Sequence, residues 1–533
     1  MDFLSNTLID KTNQSPDKEI FIFEYGDSGE ERITYKMLYE NSFKIASELK
    51  RIGVKAGDTF GIVMRNYPEF IYLLIAGSLI GAIAVPVDPR SKGQRLEYML
   101  GFPEVKVVFV TEDLLHNILE VKPHLPLLKH IYILSKPGIQ TLNPKDYPYL
   151  NEVIERKAVS IFEPVSSDPS HGQAMPFEII FTSGTTGEPK GVVVKQDRFG
   201  SYALLAQMVW QYTESDVLYT GLSFTHGNAQ AVTMVPALAM GIKAVISPQF
   251  TKSRIWDICR KYGVTTFSLL GGMMSGIYNE PRKPNDADNP VKIVISAGTP
   301  KAIWQAFEQR FNVLIHEWYG AVEGGFAHKP PGEGPIGSFG KPLEGLMEMK
   351  IFDEHDRECP PYVTGEIVWR MVGEAAEVNY LKNKKASEEK TRGGWLRTGD
   401  MGHTDENGYF FFDYRKGGGL RRQGEFVQPD YIEKVIGEHP DVSEVCVYGI
   451  PASSGAPGES DLVAAIVPFP DKKLAPDDIF ELCKKALPKN LIPSYIQIVN
   501  EIPKTISEKP LDNVLRSSFN PSADNVYKID HFI

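Results

Sequence analysis

The sequence predicts a layered α/β protein, with a large N-terminal part built on mostly parallel sheets and a small, mobile α+β C-terminal domain. Three observations carry this expectation. Helix-like and strand-like segments alternate through the first half of the chain. Three successive glycines, Gly417 to Gly419, interrupt the pattern late in the chain. Beyond them a compact helix–strand–strand–helix pattern occupies about a hundred residues, enough for a second core.

The elements follow in order. Ile33 to Ile52 places Leu38, Ile45, Ala46 and Leu49 at helical spacing, with Thr34 as the N-cap. Thr59 to Met64 predicts a strand, Phe70 to Gly81 a helix, and Ile83 to Val87 and Val105 to Val110 buried strands. The apolar run Phe70 to Val87 approaches the length of a membrane span. Gly77 and Gly81 interrupt it, however, so a buried helix followed by a buried strand is expected. Two β-prone runs, Phe177 to Phe181 and Val192 to Val194, flank a Gly/Thr/Ser-rich loop. Tyr278 to Pro290 predicts a polar loop with solvated charges, and Phe311 to Ile315 an apolar strand. After the glycines, Pro429 to Gly437 and Asp477 to Ala486 predict helices, and Val442 to Tyr448 and Leu462 to Val467 strands.

Composition narrows the function classes. The 533 residues carry a formal net charge of −11, which argues against broad nucleic-acid binding. Hydrophobic residues make up 42%, sufficient for a large core. Cys259, Cys359, Cys446 and Cys483 are scattered and form no CxxC pair, which fits a reduced compartment. Met1 to Lys11 lacks the basic and apolar regions of a secretory signal. A cytoplasmic protein without an integral membrane segment is expected; a homodimer is allowed.

The stretch Thr182-Ser183-Gly184-Thr185-Thr186-Gly187-Glu188-Pro189-Lys190-Gly191 carries the most chemistry. Glycines let backbone approach a polyphosphate, hydroxyls and N–H groups donate to its oxygens, and Lys190 adds positive charge. A plain hydroxyl-rich hairpin loop is the alternative. The mononucleotide P-loop does not fit, because Pro189 precedes the lysine and a valine run follows. Strand–loop–strand is predicted in its place.

This loop resembles the phosphate loop of the acyl-adenylate-forming superfamily of acyl-CoA ligases, luciferases and peptide-synthetase adenylation domains. Further motifs follow in the superfamily's order, from about Ile33 to Arg516. Tyr319-Gly320-Ala321-Val322-Glu323 is similar to its Tyr-Gly-x-Thr-Glu motif, with Val322 where a threonine is usual. The resemblance implies Tyr319 on adenine, with Gly320 and neighbouring Trp318 beside it, and Glu323 on Mg²⁺ at the phosphates. It implies ribose binding by Asp400 in Thr398-Gly399-Asp400 and nucleotide contact by Arg415. Gly337 to Pro342, Gly365 to Ile367 and Tyr380-Leu381 fit as well. Ser296-Ala297-Gly298-Thr299 is a further pocket segment, with Gly298 and Thr299 toward the nucleotide.

The same resemblance implies a small β-barrel in the N-terminal domain, 1–414, a hinge over 415–420 centred on Gly418, and a C-terminal lid, 421–533. Around the hinge, Tyr414, Gly417 and Gly418 replace charged residues of the usual pattern. Gly424 lies on the coenzyme A side. Lys509, in Ile502 to Pro510, is the implied adenylation lysine, with Glu508 where glycine is usual. Thr185 and Glu323 are implied to assist it at the phosphates. His226 and Gly227, with Gly271, Gly272 and Met273, correspond to segments lining the acid pocket; core packing is the alternative for each.

The resemblance therefore implies an ATP-dependent, AMP-forming acid–coenzyme A ligase that uses Mg²⁺. The look is closest to carnitine/crotonobetaine-type and alicyclic or aromatic acid CoA ligases, and the expected acid is compact: alicyclic, aromatic or short branched. Two alternatives stay open. One is a free-standing enzyme that loads a carrier-protein thiol. The other is a non-catalytic nucleotide or acyl-CoA sensor, suggested by Val322, Gly417 and Gly418. The direction of the reaction is open too.

Overall fold

Apolar runs punctuated by glycine and proline become buried parallel strands, because a strand covered on both faces has no polar side to present. The computed structural model describes residues 3–529 except 140–145, 166–174, 183–188, 417–419, 423–424, 428, 454–459 and 506–509, and except the side chains of 414, 415, 421, 425, 426 and 490. The chain forms two compact units: Met1–Ser268 with Val378–Glu388, and Leu269–Glu377 with Glu389–Ile533.

The first unit holds a six-stranded sheet. Thr59–Val63 lies between Ile83–Pro86 and Val107–Thr111, all parallel. His130–Leu134 extends one side, and Pro176–Thr182 the other. Lys190–Lys195 then pairs antiparallel with Pro176–Thr182, so the predicted strand–loop–strand holds. A second group of strands orders Glu30–Thr34, Glu19–Glu24, Lys243–Ile246 and Val217–Thr220. Helix Tyr35–Arg51 begins where expected, with Thr34 Oγ1 accepting the Met37 N–H at 3.3 Å. The apolar run is the predicted buried helix and strand: every residue of Pro68–Ile80 is buried, and Gly81 caps it at φ +72°. Among the described residues, no helix is long and apolar enough to cross a membrane.

The second unit begins with the parallel pair Ile293–Ala297 and Leu314–Ala321, then an antiparallel return, Gly324–Lys329. A four-stranded antiparallel sheet follows, Met347–Phe352, Gly365–Met371, Leu396–Thr404 and Phe410–Arg415. Its last part is an α+β layer with its own apolar core. Strands Val442–Pro451, Ser460–Pro468, Tyr495–Ile498 and Val526–Lys528 form one sheet. Ile432, Ile436, Ile479, Phe480 and Cys483, from helices Pro429–Ile436 and Pro476–Ala486, pack together with Leu462 and Ile466.

Two expectations need correction here. Phe311 ends helix Trp304–Phe311, and Asn312 turns the chain at φ +52°, so the strand starts at Leu314 and contains Tyr319. Apolar character alone did not separate helix end from strand start, because Phe311, Val313, Leu314 and Ile315 are all apolar, although Leu314 is exposed. The loop after Tyr278 is not wholly solvated either. Asp286 is buried and pairs with buried Arg310 at 2.7 Å. Arg310 also donates to the carbonyls of Tyr278, Glu280 and Pro281, tying the loop down. The four cysteines are all free thiols; Cys259, Cys446 and Cys483 are buried and Cys359 is half-buried.

Candidate functional site

In the first unit strands Pro176–Thr182 and Lys190–Lys195 flank the Gly/Thr/Ser-rich stretch. Thr182 and Lys190 are register partners, and the Thr182 hydroxyl donates to the Lys190 carbonyl at 3.4 Å. The Lys190 ammonium stands 5.2 Å from the centre of the Tyr380 ring. Ser183, Gly184, Thr185 and Thr186 lie outside the described residues.

His226 and Gly227 open a helix, and the turn that leads into it is pinned in place. Asn66 donates its amide to the Leu222 carbonyl at 2.8 Å and accepts the Phe224 N–H at 2.8 Å. Gln230 donates both to the Phe224 carbonyl and to Glu178, each at 2.8 Å. Burial holds the His226 imidazole below its usual pKa, favouring the neutral ring.

In the second unit several predicted segments converge. Gly271 has no room for a side chain, because a Cβ there would stand 1.9 Å from the Gly298 carbonyl oxygen. Gly272 follows it, and Met273 is buried in the same helix, Gly271–Tyr278. Glu317, which the motif reading missed, fixes the Gly298–Thr299 turn. One of its carboxylate oxygens accepts the Gly298 N–H at 2.7 Å and the Thr299 N–H at 3.1 Å; the other accepts the Thr299 hydroxyl at 2.5 Å. Burial pushes the Glu317 carboxyl up to about 7, against the pull of those hydrogen bonds and of Lys329. The signal was present in the sequence: one acid stands in an otherwise apolar, aromatic strand.

Alternation along Leu314–Ala321 places Trp318 and Tyr319 on opposite faces. Trp318 packs near Phe326, with centroids 6.0 Å apart. Tyr319 stacks on Phe339 at 4.6 Å, and its hydroxyl donates to Asp400 Oδ2 at 2.6 Å. Asp400 is buried, and its register partner on the next strand is Arg415, whose side chain lies outside the described residues. Gly320 lies in the same strand, and a Cβ there would meet the Trp318 ring at 2.8 Å. Glu323 sits in the turn before Gly324–Lys329 and is half-buried.

Among the described residues, no three His, Cys, Asp or Glu side chains cluster to hold a metal ion. Glu323 offers a hard carboxylate oxygen of the kind that Mg²⁺ takes beside substrate phosphates.

Asp413, shortly before the glycine run in the sequence, gathers three side chains. Asp413 accepts hydrogen bonds from His403 Nδ1 at 2.9 Å, Thr364 at 2.8 Å and Lys434 at 2.8 Å. Burial pushes Asp413 up, but the His403 and Lys434 hydrogen bonds outweigh it and hold the carboxyl down at about 2. Lys434 comes from helix Pro429–Ile436, beyond the glycines. Gly418, Gly424 and Lys509 lie outside the described residues.

Residues 8–375 match the AMP-binding enzyme family, and residues 431–509 match the AMP-binding enzyme C-terminal domain. The chain is similar to a crotonobetaine/carnitine–CoA ligase of Salmonella typhi, 27% identical over 94% of this chain and 96% of that one. Its fold resembles the crystal structure of the anthranilate CoA ligase AuaEII in complex with anthranoyl-AMP, with TM-score 0.83, 23% identity and 97% of each chain covered. It also resembles a benzoate CoA ligase from Burkholderia xenovorans LB400, with TM-score 0.82, 21% identity, and 97% of this chain and 100% of that one covered.

Proposed function

This chain belongs to the AMP-binding enzyme family, and from that premise we propose that it is an AMP-forming ligase joining a compact carboxylic acid to coenzyme A. The observation that carries the reading is the 2.6 Å hydrogen bond from Tyr319 to buried Asp400. It ties the ring suited to adenine to the carboxylate suited to ribose hydroxyls. The similarity to acid–CoA ligases over nearly the whole chain supports the choice of acceptor.

The reaction runs in two displacements. A carboxylate oxygen of the acid attacks the α-phosphorus of ATP and pyrophosphate leaves, giving acyl-AMP. The coenzyme A thiolate then attacks the acyl carbon and AMP leaves, giving the thioester. Thr182, Ser183, Gly184, Thr185, Thr186 and Lys190 hold the phosphates. Gly298 and Thr299, kept in place by Glu317, join Trp318, Tyr319, Gly320, Asp400 and Arg415 on the nucleoside. Glu323 would hold Mg²⁺, which neutralises charge on the phosphates when bound. Lys509 offsets the charge of the approaching anions, so the protein works through positioning and fixed charge rather than covalent catalysis.

The proposed division is an adenylating domain over 1–414, a hinge at 415–420 with Gly418 at its centre, and a lid over 421–533 that presents Gly424 to coenzyme A. We assign His226, Gly227, Gly271, Gly272 and Met273 to the acid, which is alicyclic, aromatic or short branched. The cytoplasm supplies the three substrates.

The test is acid-dependent ATP–pyrophosphate exchange across alicyclic, aromatic, short-chain and betaine acids, with and without coenzyme A. Exchange with a compact acid, followed by AMP release that requires coenzyme A, is the expected result. Exchange without thioester formation would point to a carrier-protein thiol. Nucleotide binding without exchange would leave only a sensor.

A further inference from the structure

The segment from Leu222 to Gln230, a turn that runs into the helix starting at Gly227, is fastened by several hydrogen bonds, and three atoms stand out against that. Ser223 and Thr225 bond each other at 2.9 Å, the His226 N–H donates to the Ser223 carbonyl at 3.1 Å, and Gln230 is shared between Glu178 and Phe224. Asn66, far away in sequence, fastens the loop at Leu222 and Phe224. Yet His226 Nε2 and both amide atoms of Asn228, Oδ1 and Nδ2, are buried without a hydrogen-bond partner. Buried polar atoms are nearly always paired, because each unpaired one forfeits its bond to water. Three orphans within three residues, at the start of a helix whose approach is anchored by Asn66 and Gln230, mark a place where a partner arrives from outside the fold.

We infer that Asn228, with His226, is a specificity determinant that pairs with a neutral hydrogen-bonding substituent on the acid: a hydroxyl, ketone or amide carried in addition to the reacting carboxylate. This rests on the ligase reading and names the substrate class within it. Asn228 offers one donor nitrogen and one acceptor oxygen, so it suits a group that both gives and takes a hydrogen bond. A charged substituent fits poorly. Burial keeps His226 neutral. The acidic group whose field reaches it, Asp88, is paired with Arg90 at 3.4 Å. Glu178, bonded to Gln230, does leave one carboxyl oxygen unpaired, but burial pushes that carboxyl up to about 8, so it is protonated at neutral pH and offers no counter-charge. A quaternary ammonium acid therefore lacks a counter-charge here, whatever acids the chain's relatives use.

The experiment compares matched pairs of acids in pyrophosphate exchange: cyclohexanecarboxylate against its 3- and 4-hydroxy and 4-oxo forms, benzoate against hydroxybenzoates and carbamoylbenzoates, 3-methylbutanoate against 3-hydroxybutanoate, and carnitine as the betaine. Wild type is expected to prefer one polar member over its unsubstituted partner by about tenfold or more in kcat/KM, since a site built for a hydrogen bond rejects the analogue lacking it. Asn228→Leu, close in volume, should bring that ratio to within about threefold, and Asn228→Gln should keep part of it. A thermal melt supplies a second readout. An amide without a partner in the fold is removed at no loss, so Asn228→Leu should melt no lower than wild type. Preference for unsubstituted acids or for carnitine, or a ratio unmoved by Asn228→Leu, overturns the inference while leaving the ligase standing. A lowered melting point with the ratio intact assigns Asn228 to the fold and overturns it too. Exchange with no acid at all, with AMP still bound, removes the ligase reading and this inference together.

Discussion

Glu317 offers the sharpest quantitative test of the site, through Glu317→Gln. In the folded protein burial lifts its carboxyl to about 7, against an ordinary value of 4.5. Below about pH 4.5 the carboxyl is protonated whether the chain is folded or not, so it adds no pH slope. Between about 4.5 and 7 the folded state holds the proton more tightly than the unfolded state does. Stability from this group is therefore fully present at low pH and falls as pH rises through 7. The interval of roughly 2.5 units corresponds to at most about 3 kcal/mol. Glutamine keeps the acceptor for the Gly298 and Thr299 N–H groups and can donate to the Thr299 hydroxyl, but it does not titrate. The variant should match wild type near pH 4.5 and become progressively more stable relative to it by pH 8. For a unit of this size, that gap is of order 5–10 °C in Tm. The assay is a pair of melting curves for both proteins from pH 5 to 8.5, with AMP affinity measured alongside to confirm that the turn is intact. Parallel stability–pH profiles would refute the burial argument and return Glu317 to an ordinary carboxylate.

Three further outcomes follow from the geometry and the proposed roles. Lys509→Ala should slow acyl-AMP formation by roughly 10²–10³-fold and spare thioester formation from supplied acyl-AMP; equal loss in both half-reactions removes its assigned role. Arg310→Met strands Asp286 and three carbonyls, so urea unfolding should show a loss of about 3–5 kcal/mol, much of it recovered by adding Asp286→Leu. An unaltered midpoint would mean the pair is dispensable. Lys434→Met removes a cation that reaches Asp413 from beyond the glycines, at a half-exposed site worth about 1 kcal/mol. The half-reaction served by this lid orientation should slow about fivefold relative to the other, with AMP affinity unchanged; an unchanged ratio would show that the bond does not hold the lid.

Much of the architecture was legible because the first half obeys simple periodicities. Thr34 before Leu38, and Gly81 after a wholly apolar run, mark helix boundaries that local chemistry decides. The turn from Phe311 to Leu314 was not legible, since a left-handed Asn312 leaves no apolar signature. Asp286 read as a surface charge because its partner, Arg310, is 24 residues away in sequence. Motif positions such as Tyr319 and Asp400 were found through resemblance, but the bond between them was not, because it joins separate strands. Glu317 escaped for a related reason, and Asn228, at the end of the His226 segment, drew no role of its own. What marks the first is what it holds, and what marks the second is what the fold leaves it without.

The thiols carry a practical consequence. Burial raises all four, Cys483 to about 12, and Cys359 is the only one with appreciable exposure. Thiolate, not thiol, reacts with maleimides, so buried Cys259, Cys446 and Cys483 are poor targets for such dyes. With Cys359 replaced by serine, new cysteines at exposed Glu354 and Glu438 would accept a donor and an acceptor fluorophore over almost no background. Changes in the spacing of two points on either side of the glycine run could then be watched as colour, one molecule at a time, during turnover.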